Sequence, residues 1–182
     1  AAEGGLSSGT ESGESIMLLT DKEVDTKLQD LQESYFVNRG KGILRYDVSQ
    51  LPSNHPIEDS HVEQIVTVPS GNSEASQLEE DLCFFGIFDG HSGSFTSKKL
   101  STDLVQYVAE KLGQIYSENS NILSSSKQID NAIERAFIQL DNDIIYSSLR
   151  KLFQEPTKEN MVGSLPAISG SCALLCAFNS HD

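Results

Sequence analysis

An α+β fold, with helices packed on a sheet, is what the sequence predicts, and the pattern of apolar residues carries that reading. Residues 82–88 (LCFFGIF) and 171–178 (SCALLCAF) are continuous apolar runs too short for a buried helix, so each predicts a strand buried on both faces. Between them lie two long stretches whose apolar residues recur every three or four positions, as in helices with one face on a core.

Taken in order, residues 1–15 (AAEGGLSSGTESGES) have almost nothing to bury and read as disordered or linker sequence. The boundaries drawn are 1–19 for this segment and 20–182 for the folded part. The segment has neither the Arg-rich pattern of a mitochondrial presequence nor the apolar stretch of a signal peptide. Thr20 as N-cap, Glu23 as its capping-box partner and Val24, Leu28 and Leu31 at helical spacing predict a short helix ending before Gly40 and Gly42. Pro52 and Pro56 demand loops, and residues 61–68 read as a strand bounded by Pro69. Residues 70–80 (SGNSEASQLEE) form a polar loop before the first apolar strand.

The first long helix has Leu100, Leu104, Val105, Val108, Leu112 and Ile115 on one stripe, with Thr96 or Ser97 as N-cap and Gly113 near its end. The second spans about 127–153, with Ile129, Ile133, Ala136, Phe137, Leu140, Ile144 and Leu152 on its apolar face. After Pro156 comes a polar loop, then the last strand, beyond which four residues remain. A buried strand in that place predicts that the chain is the front part of a longer domain.

The charge, 13 basic against 27 acidic residues for a net of -14, disfavours nucleic acid and anionic membrane surfaces as partners, because phosphate neutralisation needs clustered Lys and Arg. No apolar run approaches the roughly 18 residues that span a bilayer. Cys83, Cys172 and Cys176 are too few and too irregular for a disulfide framework or a zinc pair, and their apolar surroundings read as buried thiols in a reducing compartment.

Polar residues stand where apolar strands end: Glu58-Asp59 before one strand, and Asp89-Gly90-His91 after another. If Glu58 and Asp59 are extended they point to opposite faces, so at most one directly shares an ion with Asp89, and the other supports from behind. Two carboxylates about 4 Å apart repel by roughly 4 kcal/mol at an effective dielectric of 20, so such a cluster takes up a proton or a cation. Oxygen ligands without a His/Cys cluster favour Mg²⁺ or Mn²⁺. An acidic pair and a D-G turn are also common surface features, and spacing alone leaves both readings open. His91 beside the turn reads as a general acid or as a solvated loop histidine, whereas His55, His61 and His181 read as structural or surface residues.

Other templates fail. A calcium loop starting at Asp89 needs oxygen ligands, glycine and glutamate where the chain has His91, Gly93, Ser94 and Leu100. Residues 163–171 lack the Gly-Lys-Ser/Thr ending of a P-loop. A nucleophile elbow around Ser92 needs glycine at Ser94, and the sole downstream histidine is His181.

The segments PIEDSH and FFGIFDGHSG, an amphipathic helix and then SGSCALL resemble the start of the PPM-type metal-dependent serine/threonine phosphatases, the protein phosphatase 2C family. LRYDVSQLPSNHPIEDSHVEQI is similar to the mitochondrial pyruvate dehydrogenase phosphatase branch, above all its fungal members. The resemblance covers the chain from about Thr20 onward. It implies a β-sandwich flanked by helices on both sides, in four layers, present here as its N-terminal portion. It also implies that Asp89 bridges two Mg²⁺ or Mn²⁺ ions, that the Gly90 carbonyl ligates one, that Glu58 holds the second directly or through water, and that Asp59 supports the water shell. His91 is then the general acid for the leaving Ser or Thr oxygen, and a water held between the ions is the nucleophile.

Two positions depart from the family pattern. Asn54 stands where most members carry a phosphate-binding arginine, which the pyruvate dehydrogenase branch also lacks, and Ser92 replaces the second glycine of D-G-H-G-G, a change expected to be tolerated. Family members complete the site with aspartates from the C-terminal half of the domain. Asp141 and Asp143 cannot replace them, since i,i+2 positions on a helix do not face one another. The implied substrate is a phosphoserine of the pyruvate dehydrogenase E1α subunit, in mitochondria. The alternative is a non-catalytic phosphatase-like fragment or scaffold.

Overall fold

A computed structural model of the chain describes residues 18–39, 42–69, 79–118 and 126–178. The linker expected at 1–19, the loop at 70–80 and His181 lie wholly or mostly outside these residues. Two units are present. The smaller comprises the chain through Glu33 with Asp47–Leu51; the larger comprises Ser34–Tyr46 and everything from Pro52 onward.

The smaller unit holds α1 (Asp21–Asp30), where Thr20 Oγ1 accepts from the Glu23 amide and the Glu23 carboxylate accepts from the Thr20 amide. This is the expected capping box. The helix buries no residue, and it ends ten positions before Gly40 because the chain turns at Leu31 into a strand. That strand, β1 (Gln32–Phe36), pairs with β2 (Arg45–Ser49) in a two-stranded sheet.

The larger unit is built on an antiparallel sheet ordered β3 (Ser60–Pro69), β4 (Glu79–His91) and β5 (Gly170–Phe178). Ser60 pairs with Phe88 and Val68 with Glu80, while Cys83 pairs with Phe178 and His91 with Gly170. With side chains alternating at period two, Leu82, Phe84, Gly86, Phe88 and Gly90 share one face. That face receives α2 (Phe95–Glu118), which buries Leu104, Val105, Val108 and Leu112 against Phe84 and Phe88. α3 (Ser126–Asn142) packs on α2 through fully buried Ala132 and Ala136, whose small side chains let the helices approach closely. Gly113 lies near the end of α2, as expected, and the helix runs on to Glu118 with Ile115 buried.

The second long helix is interrupted. A π-turn (Asp143–Ser147) separates α3 from α4 (Ser148–Gln154). At this turn the Tyr107 hydroxyl of α2 donates to Asp143 Oδ2 at 2.8 Å. The stretch after Pro156 is not all loop: Thr157 caps α5 (Lys158–Gly163), followed by a 3₁₀ turn (Leu165–Ile168).

Neither apolar run is buried on both faces. The second face of β4 and β5 leaves Ile87 62% and Leu174 65% exposed, and Cys172 and Cys176 are exposed as well. Cys83 on that face is buried, and Tyr46 packs edge-on to Phe85 with ring centroids 5.5 Å apart. The composition of a strand covered on one face was therefore read as one covered on two. Beyond the hairpin, Arg39 makes a two-pronged contact with Asp81, at 3.0 and 3.1 Å, and holds that carboxyl below its ordinary range with help from the Thr67 hydroxyl. Among the described residues no helix is long and apolar enough to cross a membrane.

Phe84→Ala is expected to cost about 3–5 kcal/mol in urea unfolding of the chain, whereas Ile138→Ala on the exposed side of α3 stays within about 0.5 kcal/mol. The bond to Asp143, with burial second, raises Tyr107 from 10.0 to about 12. A raised pKa contributes stability that is complete below pH 10 and disappears as pH climbs toward 12. The stability difference between parent and Tyr107→Phe should be constant up to about pH 10 and shrink across that window.

Candidate metal centre at the end of β4

Asp89, Gly90 and His91 do not form a turn after the strand; they are its last three residues, paired with Cys172, Ser171 and Gly170 of β5. Alternation then sorts them. Gly90 is buried toward α2, while Asp89 and His91 project from the other face with side chains 62% and 59% exposed.

Continuing the β3–β4 register two residues past Ser60↔Phe88 brings Glu58 opposite Gly90, and the contacts agree. A Cβ on Gly90 would lie 2.2 Å from the Glu58 carbonyl oxygen and 2.9 Å from Ser97 Oγ. Only glycine lets the two backbones come this close. Ser97 Oγ donates to the same Glu58 carbonyl, and Glu58 Oε1 accepts from the Gly93 amide at 2.8 Å. Glu58 is thus joined to the end of β4, to the following turn and to the first turn of α2.

The turn itself uses left-handed backbone at Ser92 (φ 62°) and at Gly93 (φ 108°). Ser92 is exposed there. α2 begins at Phe95, so Thr96 and Ser97 lie within its first turn and do not cap it as expected. Thr96 Oγ1 instead donates to the Pro166 carbonyl at 2.8 Å, tying α2 to the 3₁₀ turn. His91 Nδ1 lies 3.0 Å from the Asp89 carbonyl, which can only accept, so Nδ1 carries hydrogen and Nε2 is left to give or take a proton.

The structure therefore brings Glu58, Gly90 and His91 to one strand end. Asp59 is exposed just before β3, and Asn54 is exposed four residues before Glu58. His55 is exposed, and His61 pairs with Glu63 at 2.9 Å. Gly93 and Ser97 organise the site without having been singled out from sequence; a backbone amide leaves no signature, and the serine hydroxyl resembled a cap. Two cavities, of about 260 and 310 Å³, lie elsewhere and include none of Glu58, Asp59, Asp89, Gly90 and His91.

The donor chemistry fits a hard cation. Asp89 offers an exposed carboxylate, Gly90 a carbonyl, and Glu58 a second carboxylate with one oxygen engaged, the oxygen-only set that suits Mg²⁺ or Mn²⁺ with waters completing the shell. Among the described residues no three His, Cys, Asp or Glu side chains converge to hold a metal by themselves.

Gly90→Ala should destabilise the chain by about 3 kcal/mol or more, since neither backbone can yield. Ser92→Gly should stabilise it by about 0.5–1 kcal/mol, the left-handed cost relieved less the entropy of glycine. Urea unfolding of both variants checks the pair of signs.

No protein-family model matches the chain. Its sequence is 55% identical over 95% of its length to mitochondrial pyruvate dehydrogenase (acetyl-transferring) phosphatase 1 of Saccharomyces cerevisiae, of which it covers 31%. It is 37% identical over 90% of its length to a protein phosphatase 2C homolog of Schizosaccharomyces pombe, covering 36% of that protein. Against human mitochondrial pyruvate dehydrogenase phosphatase 1 the identity is 30%, over 90% of the chain and 31% of the relative. The chain spans about a third of the length of these curated relatives. By sequence, the chain is similar, over most of its own length, to about a third of relatives named pyruvate dehydrogenase phosphatase and protein phosphatase 2C homolog, names that point to the PPM-type, protein phosphatase 2C family.

Proposed function

We propose that the protein containing this chain is a metal-dependent serine/threonine phosphatase that hydrolyses phosphoserine on the pyruvate dehydrogenase E1α subunit in mitochondria. The observation that supports the reading is the packing of the Glu58 carbonyl on Gly90, which brings the backbone of Glu58 to the strand end that carries Asp89 and His91. The identity to pyruvate dehydrogenase phosphatases supports the substrate and the compartment.

In this reading Asp89, the Gly90 carbonyl and Glu58 hold two Mg²⁺ or Mn²⁺ ions, with Asp59 at their water shell. Asp59 stands one residue before Ser60, which pairs with Phe88, the residue before Asp89, and two carboxylates held near one another favour a cation. When bound, the ions supply charge neutralisation for the phosphoryl oxygens and acidity for the attacking water. The water oxygen bonds to phosphorus as the bond from phosphorus to the serine oxygen breaks. His91 Nε2 gives its proton to that departing oxygen, while Nδ1 stays anchored on the Asp89 carbonyl. Asn54 brings no positive charge, so phosphate attraction falls to the ions.

Full-length protein should hydrolyse p-nitrophenyl phosphate and a phosphoserine peptide only with Mn²⁺ or Mg²⁺, and Asp89→Asn should abolish both activities. His91→Gln should slow the phosphoserine peptide by about 10²-fold or more and p-nitrophenyl phosphate much less, because nitrophenolate departs without protonation. Equal losses on the two substrates would remove His91 from the acid role, and metal-independent turnover would overturn the whole reading.

A further inference from the structure

We propose that Ser97 is a positioning residue for this centre: its hydroxyl, acting through the Glu58 carbonyl, sets where the Glu58 carboxylate stands. The inference rests on the reading of Glu58 as a metal ligand.

Ser97 is fully buried on the face of α2 that also buries Leu104 and Val108. A hydroxyl in such a place is costly unless hydrogen-bonded. The residue just before its helix offers a partner, the Ser94 carbonyl at 3.1 Å, which is enough for a serine buried for packing alone. Ser97 nevertheless reaches across to the Glu58 carbonyl, and Ser60 Oγ donates to Ser97 Oγ at 3.4 Å. The bond therefore serves Glu58.

Glu58 is gripped at two points, its carbonyl by Ser97 and its carboxylate by the Gly93 amide at 2.8 Å. Gly90 removes the slack, since even a Cβ there would fall 2.9 Å from Ser97 Oγ. Without the hydroxyl, the Glu58 peptide loses its donor and gains room to rotate, and the carboxylate moves with it. Groups that orient a metal ligand from behind typically change metal affinity 10–100-fold when removed.

The test is direct Mn²⁺ binding to the full-length protein, read by electron paramagnetic resonance of free Mn²⁺, in Ser97→Ala, Ser97→Cys, Glu58→Gln and the Ser97→Ala/Glu58→Gln double variant. The cysteine variant keeps the volume of the side chain and loses the strong donor, so it serves if the alanine variant does not fold. Ser97→Ala and Ser97→Cys should weaken Mn²⁺ by roughly tenfold. On the Glu58→Gln background the Ser97 change should have almost no further effect, because the two act as one unit. Unchanged Mn²⁺ affinity in a folded Ser97 variant overturns the proposal, as does a tenfold loss that persists without the Glu58 carboxylate. If Glu58→Gln itself binds Mn²⁺ as the parent does, the failure belongs to the ligand reading beneath it.

Discussion

The approach of the Glu58 carbonyl to Gly90 is the constraint on which the site depends. It is a backbone contact, made possible by a missing Cβ, and it joins the entry of β3 to the exit of β4 at a separation no other residue allows. From it follow the reach of the Glu58 carboxylate to the Gly93 amide and the burial of a serine hydroxyl in the first turn of α2. The flanking side chains, Asp89 and His91, are turned outward by the same alternation that turns Gly90 inward. A rigid interior contact thus presents exposed polar groups at the surface, the arrangement a site needs if its groups are to hold position while meeting a substrate.

Electrostatics divides the work in the proposed phosphatase. A formal charge of -14 concentrates cations and repels phosphate esters, and Asn54 does nothing to reverse the sign locally. The bound ions then have two tasks, attracting the phosphoryl group and promoting its cleavage. Recognition of the surrounding protein must come from shape and docking contacts.

Side-chain pattern was legible in the sequence wherever it was repeated. The stripe from Leu100 to Ile115 and the Thr20–Glu23 box both appear as read, because each uses several residues to report one geometry. Elements short of that repetition were missed: QESYF and RYDVS are five-residue strands with little to distinguish them from loop, and the π-turn at Asp143 keeps an apolar residue, Ile144, where an uninterrupted helix would put one. Cys172 and Cys176 were read as buried because an apolar run has the same composition whether one sheet face is covered or two. At the site, the acidic pair and the D-G-H segment were visible as residue types. Their junction was not, since carbonyls and amides are the same at every position and only the fold decides which of them meet.

The register of the sheet also bears on the order of assembly. Glu58, the end of β4, the turn and Ser97 lie on one continuous stretch of chain, closed by the β3–β4 hairpin and the helix that follows it. β5 joins only after α2 and α3 have intervened, and pairing Gly170 with His91 must close the whole intervening loop. Loop closure over such a distance carries a larger entropic cost than a hairpin does and slows folding. The grip on Glu58 can therefore form early on the emerging polypeptide, before the last strand is available to pair with Asp89, so the junction of Glu58 with the end of β4 is a local product of folding and not a late one.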